Sequence, residues 1–492
     1  MGTGAGPNLD RLYSIKVDGS RNHLQPADVK GRFVRARHLV FAALIAIYVG
    51  LPLLRVGGQP AVHLDIEARR FYLFGATFNS QDFWLVVFLL TAVGFGLLFF
   101  TAWLGRVWCG WACPQTVFLE GVYRWIERWT EGPREARLKL AAAPWTAGKL
   151  ARKAAKHALY VLVSFFLAHV FLSFFVSLPG LLGMMAGDPR DHLVAFAWVT
   201  AITGLLYFNF AWFREQLCII LCPYGRLQSV LTDKHSLIIG YDERRGEPRG
   251  RLTRADRAAA AAGAAPTKGD CVDCQRCVVV CPTGIDIRNG LQLECIGCAR
   301  CVDACDEVMG KLGRERGLVR YDSLQGLAGQ KKRTVRPRLV FYGAFLAAAV
   351  VGLTIGLGAR TPFEANLLRV RGAPYVLDGG GVRNQFELHL INKNPTETTF
   401  EIELESPVPA KITVASERVT VGSLQSFRMP IFVSVDEADY RGSFELELEV
   451  QDEASGREKE LEVRFLGPLR LAKRHPEGDD EHRPGKHADR DE

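Results

Sequence analysis

The stretch "DCVDCQRCVVVCPTGIDIRNGLQLECIGCARCVDAC", Asp270 to Cys305, carries eight of the twelve cysteines of a 492-residue chain. They form two runs, Cys271-x2-Cys274-x2-Cys277-x3-Cys281 and Cys295-x2-Cys298-x2-Cys301-x3-Cys305, and the second repeats the first at a period of 24 residues. The other four thiols form two matching pairs, Cys109-Gly-Trp-Ala-Cys113-Pro114 and Cys218-Ile-Ile-Leu-Cys222-Pro223, each just after a long apolar run. No cysteine precedes Cys109 or follows Cys305. A secreted protein stapled by disulfides scatters its cysteines through its folded parts. Clusters at fixed short spacing read instead as metal ligands in a reducing compartment.

Three cysteines plus a fourth after three more residues is the ligand spacing of bacterial two-cluster ferredoxins, in which the fourth thiolate crosses to the other [4Fe–4S] cluster. On that pattern Cys271, Cys274, Cys277 and Cys305 hold one cluster, and Cys295, Cys298, Cys301 and Cys281 hold the second. A compact loop wraps three corners of a cubane, and the helix leaving it carries the fourth thiolate to the neighbour. Four-cysteine zinc sites are the competing reading, but they pair two CxxC knuckles rather than triplets. Asp306 stands where the first run has Pro282, which alters local backbone and not ligation. Two adjacent clusters with no pocket-forming sequence between them suit one-electron relay.

Working outward, the flanking sequence is that of a membrane protein. Crossing ~30 Å of hydrocarbon takes about 20 helical residues, and five apolar stretches qualify: His38–Val56, Phe83–Leu104, His157–Leu178, His192–Phe213 and Leu339–Gly358. The fourth is the least apolar, broken by Thr200, Thr203 and Asn209. Lys and Arg set the orientation. Residues 1–37 carry seven and residues 105–156 carry ten, against two in the 57–82 loop and one, Arg190, in the 178–191 loop. The alternation puts the N-terminus and the cysteine-rich segment in the cytoplasm and everything after the fifth span outside. Charged residues run to Arg37 and the first span is full length, so no cleavable signal is expected. The basic N-terminus reads as a membrane flank, not as a nucleic-acid arm. The expected organisation is therefore a cytoplasmic segment (1–37), a four-helix membrane domain with both cysteine pairs (38–235), and a two-[4Fe–4S] ferredoxin-like domain (236–337). A fifth span (338–359), an external Ig-like domain (360–468) and a disordered tail (469–492) follow.

Both cysteine pairs follow spans that run inward, so both belong at the cytoplasmic surface. Residues i and i+4 of a helical turn share a face, and the proline after each pair favours an extended or broken backbone at the second cysteine. Cys109, Cys113, Cys218 and Cys222 can thus meet where two spans end. Three readings compete: a further iron–sulfur centre, a copper site, or packing alone. Soft thiolates suit Cu(I) and clusters alike. His169, inside the third span, is a candidate ligand because ionisable groups in membranes mark function. A haem would need a second histidine, and the helix offers only His157 at its other end. Trp103, Trp108, Trp111, Trp125 and Trp129 read as an interfacial belt. Glu120, Arg214 and Arg226 flank the pairs and read equally well as charges that tune the thiols or as solvated helix ends.

From Pro362 the pattern changes to short alternating segments, among them "FELHLI", "TFEIELES", "AKITVA", "MPIFVSV", "SFELELEV" and "KELEVRFL", divided by turn formers such as "DGGG". That predicts an antiparallel Ig-like β-sandwich without a disulfide. Residues 361–468 hold 19 Asp+Glu against 11 Lys+Arg, an acidic contrast to the net +8 of the chain. The domain offers no catalytic constellation and reads as a docking or scaffold module.

With WCGWACPQTVF (108–118), FREQLCIILCPYGRLQSVL (213–231) and the eight-cysteine run in this order, the sequence resembles the CcoG/FixG/RdxA family, accessory proteins of cbb3-type cytochrome c oxidase assembly. The resemblance covers nearly the whole chain. It implies a bacterial inner-membrane protein that reduces Cu(II) to Cu(I) for the oxidase, with Cys109/Cys113 and Cys218/Cys222 as copper-handling or additional redox positions. Oxidase subunits, copper chaperones or copper transporters are the partners it implies. The family is also similar to membrane quinol-dehydrogenase subunits with CxxxCP motifs, so an electron conduit from quinol is the second reading, and a non-enzymatic assembly scaffold the third. No nucleotide- or flavin-binding stretch identifies the electron donor.

Overall fold

A computed structural model describes residues 24–468 apart from positions 68, 252, 254–267 and 395. It divides into a larger unit that runs to Gly356 and a C-terminal unit from Leu357. The expected tail, 469–492, lies outside the described residues.

The larger unit contains five helices long and apolar enough to cross a membrane: Arg32–Gly50, Trp84–Leu104, Ala147–Leu172, Leu193–Phe213 and Pro337–Gly358. Their outer faces expose large apolar side chains such as Val87, Leu90, Leu205 and Ile355, the surface a lipid solvent requires. The fifth span packs on the second through small residues. A Cβ on Gly352 would lie 2.6 Å from the Phe88 ring, and one on Gly356 would lie 2.6 Å from Leu85, the close approach that Gly-x3-Gly permits. Phe95 and Phe345 stack with centroids 4.8 Å apart in the same seam.

Three expectations are corrected. The first span ends at Gly50, not Val56, because Pro52 follows and disfavours helix at its predecessor. The segment after it is not a plain loop: Val62–Asp65, Arg70–Leu73 and Ala76–Phe78 form a three-stranded antiparallel sheet. The third helix starts at Ala147, where the Thr146 side chain caps Lys149 N, and stops at Leu172. A separate helix, Leu178–Ala186, starts on a Ser177 cap with Pro179 in its first turn.

The basic N-terminal flank is also more than a membrane anchor. Ala27 N donates to Val279 O at 2.9 Å, and Ala27, Val29 and Val34 pack with Val280 and Ala304. The Asp303 carboxylate accepts from the Phe33 and Val34 amides at 3.3 and 2.8 Å, placing an anion at the positive end of the first span. Gly31 makes room for it, since a Cβ there would sit 2.1 Å from Asp303 Cγ.

The cysteine-rich part of this unit is a small fold. Strands Ile238–Tyr241 and Val319–Asp322 pair antiparallel, and helices Arg276–Val279 and Arg300–Lys311 carry the third cysteine of each triplet, Cys277 and Cys301. Ile239, Ile285, Ile287, Val302, Met309, Leu318 and Val319 fill its core.

The C-terminal unit is an Ig-like sandwich. One sheet orders Lys411–Val414, Ser426–Asp436, Gly381–Asn392 and Phe363–Arg369, with Val376–Asp378 paired to the third of these. The other orders Arg418–Val421, Thr398–Glu405, Phe444–Asp452 and Glu458–Phe465. Alternation decides which faces turn inward: Phe386, Leu388 and Leu390 meet Phe400, Ile402, Leu446 and Leu448 in one core.

Candidate functional site

The two cysteine triplets are held by the same backbone device. Asp273 and Gln275, which flank Cys274, have φ of 51° and 55°, and Gly297 and Ala299, which flank Cys298, have φ of 66° and 59°. Left-handed turns at non-glycine residues are strained and persist only where the surroundings over-determine them. Here they curl the first two cysteines of each triplet into a loop before Gln275 and Ala299 start the helices that carry Cys277 and Cys301. Cys271, Cys274, Cys277 and Cys305 line one cavity with Tyr241 and Arg288. Cys281 lies close enough to Cys295 and Cys298 that each thiolate would disfavour the other. Burial pushes the thiols of Cys277, Cys295 and Cys305 up to about 12. The sites are thiols until a metal's charge displaces their protons. Beside the first quartet, buried Arg288 bonds Asp286 at 2.6 and 2.8 Å and Asp273 at 2.5 Å.

The membrane-edge pairs are a second structural repeat, at an offset of 109 residues (Cys109 to Cys218). Ala102-Trp103-Leu104 and Ala211-Trp212-Phe213 close the second and fourth spans. Each is followed by a residue in one unusual conformation, Gly105 at φ 58°, ψ −123° and Arg214 at φ 55°, ψ −123°. Four residues later come Cys109 and Cys218. Cys109 lies on an α-helix, Val107–Trp111, as expected, whereas Cys218 lies on a π-helical turn, Leu217–Leu221, and both turns close widely. Cys113 N donates to Trp108 O at 2.9 Å and Cys222 N to Leu217 O at 2.8 Å, five residues back, the wider closure of a π-turn. The prolines act as expected: Cys113 (ψ 127°) and Cys222 (ψ 108°) are extended, and Pro114 and Pro223 open new helices.

These turns bring the four thiols together. Burial pushes Cys218 up to about 12, with added repulsion from Cys113, Cys109 and Cys222. Burial, and then Cys113, pushes Cys109 up to about 11. Gln228, fully buried, accepts from Cys109 Sγ through Oε1 at 3.4 Å. Its Nε2 is buried without a partner, a donor suited to an anionic sulfur or metal-bound group. Among the described residues no group of three or more His, Cys, Asp or Glu side chains gathers tightly enough to hold a single metal ion.

The first membrane-edge loop rests directly on the second cluster loop. A Cβ on Gly110 would lie 2.6 Å from Ile296 O and 2.8 Å from Cys298 N and Cα, and one on Gly297 would lie 2.9 Å from Arg106 O. Arg106 reaches Leu293 O and, at 2.6 Å, Gly225 O, so it ties both CxxxCP loops to the ferredoxin-like part. Trp111 Nε1 donates to Tyr321 Oη at 3.0 Å, and Tyr321 donates to Gly297 O at 2.5 Å. This ring is therefore more than an interfacial belt. Only Cys274 of the first quartet is exposed; Cys271 and Cys277 are buried, and in the second quartet Cys298 is buried while Cys281, Cys295 and Cys301 are half-buried.

Behind the thiols lies a buried charge cluster. Of the two readings of these charges, that of solvated helix ends fails for Glu120 and Arg214, which are 6% exposed each; Arg226 is exposed. Glu120 pairs with Arg124 and with Arg300 of the helix that carries Cys301. Arg214 and Arg137 clamp Glu127 at 2.5 and 2.9 Å. Burial alone would raise the Glu120 carboxyl, but Arg124 and Arg300 outweigh it and hold it at about 2. In the third span His169 Nδ1 bonds Phe165 O at 2.9 Å. It lines a cavity of about 350 Å³ with His192, a second histidine supplied by the neighbouring helix and not by its own.

Comparisons with known proteins agree with this architecture. Residues 213–324 match the 4Fe-4S dicluster domain family, and residues 83–132, which include Cys109 and Cys113, match a 4Fe-4S binding domain family. Residues 353–468 match the IG-like fold at the C-terminus of FixG. The chain is 35% identical over 446 residues to nitrogen fixation protein FixG of Rhizobium meliloti, covering 82% of this chain and 84% of that protein. It is 34% identical over 417 residues to protein RdxB of Cereibacter sphaeroides, covering 82% and 86%. Protein RdxA of the same organism is 35% identical over 400 residues, covering 78% and 82%. A cysteine-rich two-cluster fold, five apolar helices and a FixG-type Ig-like unit in one chain thus come with relatives that span most of its length, and the chain belongs to the FixG/RdxA family of membrane iron–sulfur redox proteins.

Proposed function

We propose that the chain holds one [4Fe–4S] cluster on Cys271, Cys274, Cys277 and Cys305, a second on Cys295, Cys298, Cys301 and Cys281, and a third centre on Cys109, Cys113, Cys218 and Cys222. When bound, such clusters supply stepwise one-electron transfer. The chain's own contribution is placement, and the contact of Gly110 with the Cys298 backbone is the observation that carries the reading. It supports a short route between the second quartet and the membrane-edge quartet, because the loop that carries Cys109 touches the backbone of the loop that carries Cys298. For the third centre, the 4Fe-4S family match over 83–132, which takes in Cys109 and Cys113, favours a cluster over a single copper ion.

The substrate we propose is Cu(II), which takes one electron and leaves as Cu(I) for assembly of a cbb3-type oxidase. Soft sulfur ligands favour the reduced ion, so a thiol-lined exit for electrons suits that product. Oxidase subunits or copper chaperones and transporters are the proposed partners. The alternation of Lys and Arg supports an inner-membrane setting with the cluster-bearing part cytoplasmic and the Ig-like unit periplasmic.

The test uses anaerobically purified protein, reduced and then freed of reductant. Cu(II) is added with a Cu(I)-specific chelator while cluster absorbance is followed. Clusters that reoxidise in step with Cu(I) formation, more slowly in Cys218→Ser, support the proposal. Clusters that stay reduced beside Cu(II) overturn it. Iron content decides the third centre: about 12 iron atoms per chain with three cubanes, about 8 with two.

A further inference from the structure

A cavity of about 710 Å³ opens at the end of the third and fourth spans, on the side of the cysteine centres. Its wall is aromatic, made by Tyr160, Tyr207, Phe208 and Trp212. Phe208 and Trp212 are 48% and 45% exposed on the lipid-facing surface, so the mouth is open to the hydrocarbon edge. Its floor is polar and hydrogen-bonded. Tyr207 Oη meets His157 Nδ1 at 3.0 Å, and Tyr160 donates to Glu127 Oε1 at 3.0 Å. The rim carries Lys153 and Glu131, paired at 2.8 Å, with Lys153 reaching water. Arg214, the residue that starts the turn to Cys218, closes the inner end.

An apolar, lipid-facing mouth above a tyrosine–histidine floor fits a small amphipathic molecule with an aromatic head, two hydroxyl or carbonyl oxygens and a hydrocarbon tail. An anionic lipid head fits less well, because the cations here are already engaged: Arg137 and Arg214 with Glu127, Lys153 and Lys156 with Glu131. We propose that this cavity binds a membrane quinol, the electron donor to the cysteine-held centres. The proposal rests on the redox reading above and names the source of its electrons. Tyr207 and His157 bond the two-electron donor's hydroxyl. Oxidation to the quinone releases two electrons, accepted one at a time by the iron–sulfur centres. The two protons leave in succession through the His157 imidazole and the Lys153–Glu131 rim to water. His157 is then a catalytic residue, and Arg214 a positioning residue that joins the cavity to the thiol loop.

Binding is tested apart from electron flow. The full chain in phosphatidylcholine nanodiscs is titrated with decylubiquinone while tryptophan fluorescence is read. Saturable quenching is expected, lost in Trp212→Phe, with affinity lowered about tenfold in His157→Leu, as loss of one buried hydrogen bond implies. Tyr207→Phe, which keeps the ring and its packing, should also weaken binding. Absent or unsaturable quenching overturns the proposal, as does unchanged affinity in both His157→Leu and Tyr207→Phe. Quench reversed by phosphatidylglycerol but not by a quinone-site inhibitor assigns the cavity to an anionic lipid and overturns it too. With binding shown, decylubiquinol should reduce the clusters in wild type and far more slowly in His157→Leu, while dithionite reduces both equally. Binding and reduction by quinol without reaction with Cu(II) would sink the copper reading and leave this one standing.

Discussion

Arg300 Nη1 donates to Glu120 Oε2 at 2.9 Å, and both side chains are more than nine-tenths buried. Arg300 opens the helix that carries Cys301, and Glu120 sits nearly two turns beyond the first CxxxCP motif. One ion pair therefore clamps the ferredoxin-like part to the membrane-edge loop. Arg300 also donates to Ala27 O at 2.7 Å, which draws the N-terminal strap into the same clamp.

Removing one partner of this clamp leaves buried charge without compensation, which costs on the order of 3–5 kcal/mol. Glu120→Gln should leave Arg300 and Arg124 facing a neutral amide and lower the thermal midpoint of the full chain by several degrees. Arg300→Met with Glu120→Gln should recover part of the loss, because fewer charges stay unpaired. Calorimetry on both variants checks this; equal stability of Glu120→Gln and wild type would show that the clamp contributes nothing.

The same carboxylate predicts a pH dependence. Glu120 is held at about 2 against an ordinary 4.5. A folded value below the unfolded one means its stabilisation is fully present above about pH 4.5. It is lost as pH falls through about 2, and the gap is on the order of 3 kcal/mol. Glu127, clamped by two arginines, acts with the same sign. Metal-free protein should lose stability steeply over that acid window, and Glu120→Gln should flatten the slope. Urea midpoints measured from pH 5 down to pH 2.5 on the two proteins give the difference that belongs to Glu120.

Gly110→Ala is the sharpest probe of the contact between the two cysteine systems. Its added methyl would meet backbone at 2.6–2.8 Å, where nothing flexible can yield. The loop must lift off the Cys298 turn. Both ferredoxin clusters should still assemble, with unchanged iron on the eight cysteines, while electron passage to the membrane-edge centre slows at least about tenfold. Equal reoxidation rates of the clusters by Cu(II) in variant and wild type would count against the proposed route.

The fold was legible where chemistry or periodicity is local. Cysteine spacing at a 24-residue period, runs of about 20 apolar residues and two-residue alternation after Pro362 each follow from short-range rules, and the family comparisons bear out the classes they imply. What stayed hidden is long-range. Gly110 and Gln228 look like any glycine and glutamine until the Cys298 backbone and Cys109 Sγ are placed beside them, 188 and 119 residues away in sequence. Glu120 and Arg214 flank the cysteine pairs at the membrane edge, where a charged residue ordinarily marks the water line. Burial reverses that reading only because Arg300 and Glu127 arrive from other elements to pair with them. The one local signal available was the repeat of Ala-Trp-Leu-Gly and Ala-Trp-Phe-Arg four residues before each CxxxCP cysteine, which marks Gly105 and Arg214 as equivalent positions.

That equivalence makes an asymmetric prediction. Both residues sit at φ near +55–58° and ψ −123°, a conformation glycine adopts freely and arginine does not. Gly105→Ala adds both backbone strain and a Cβ 2.1 Å from Leu237 O, so the second span should no longer hand over cleanly to Cys109. A loss of several kcal/mol is expected, of the size reserved for strain plus overpacking. Arg214→Gly runs the other way at the backbone, relieving about 1 kcal/mol. It also strips Glu127 of its 2.5 Å partner, a larger loss in a site this buried. Arg214→Met separates the two effects: it loses the same ion pair but keeps a side chain at the strained turn, while Glu127 retains Arg137 in both variants. Arg214→Gly should therefore be the more stable of the two by about 1 kcal/mol. Thermal midpoints of the variants decide it. If Arg214→Met is as stable as Arg214→Gly, the turn stores no strain.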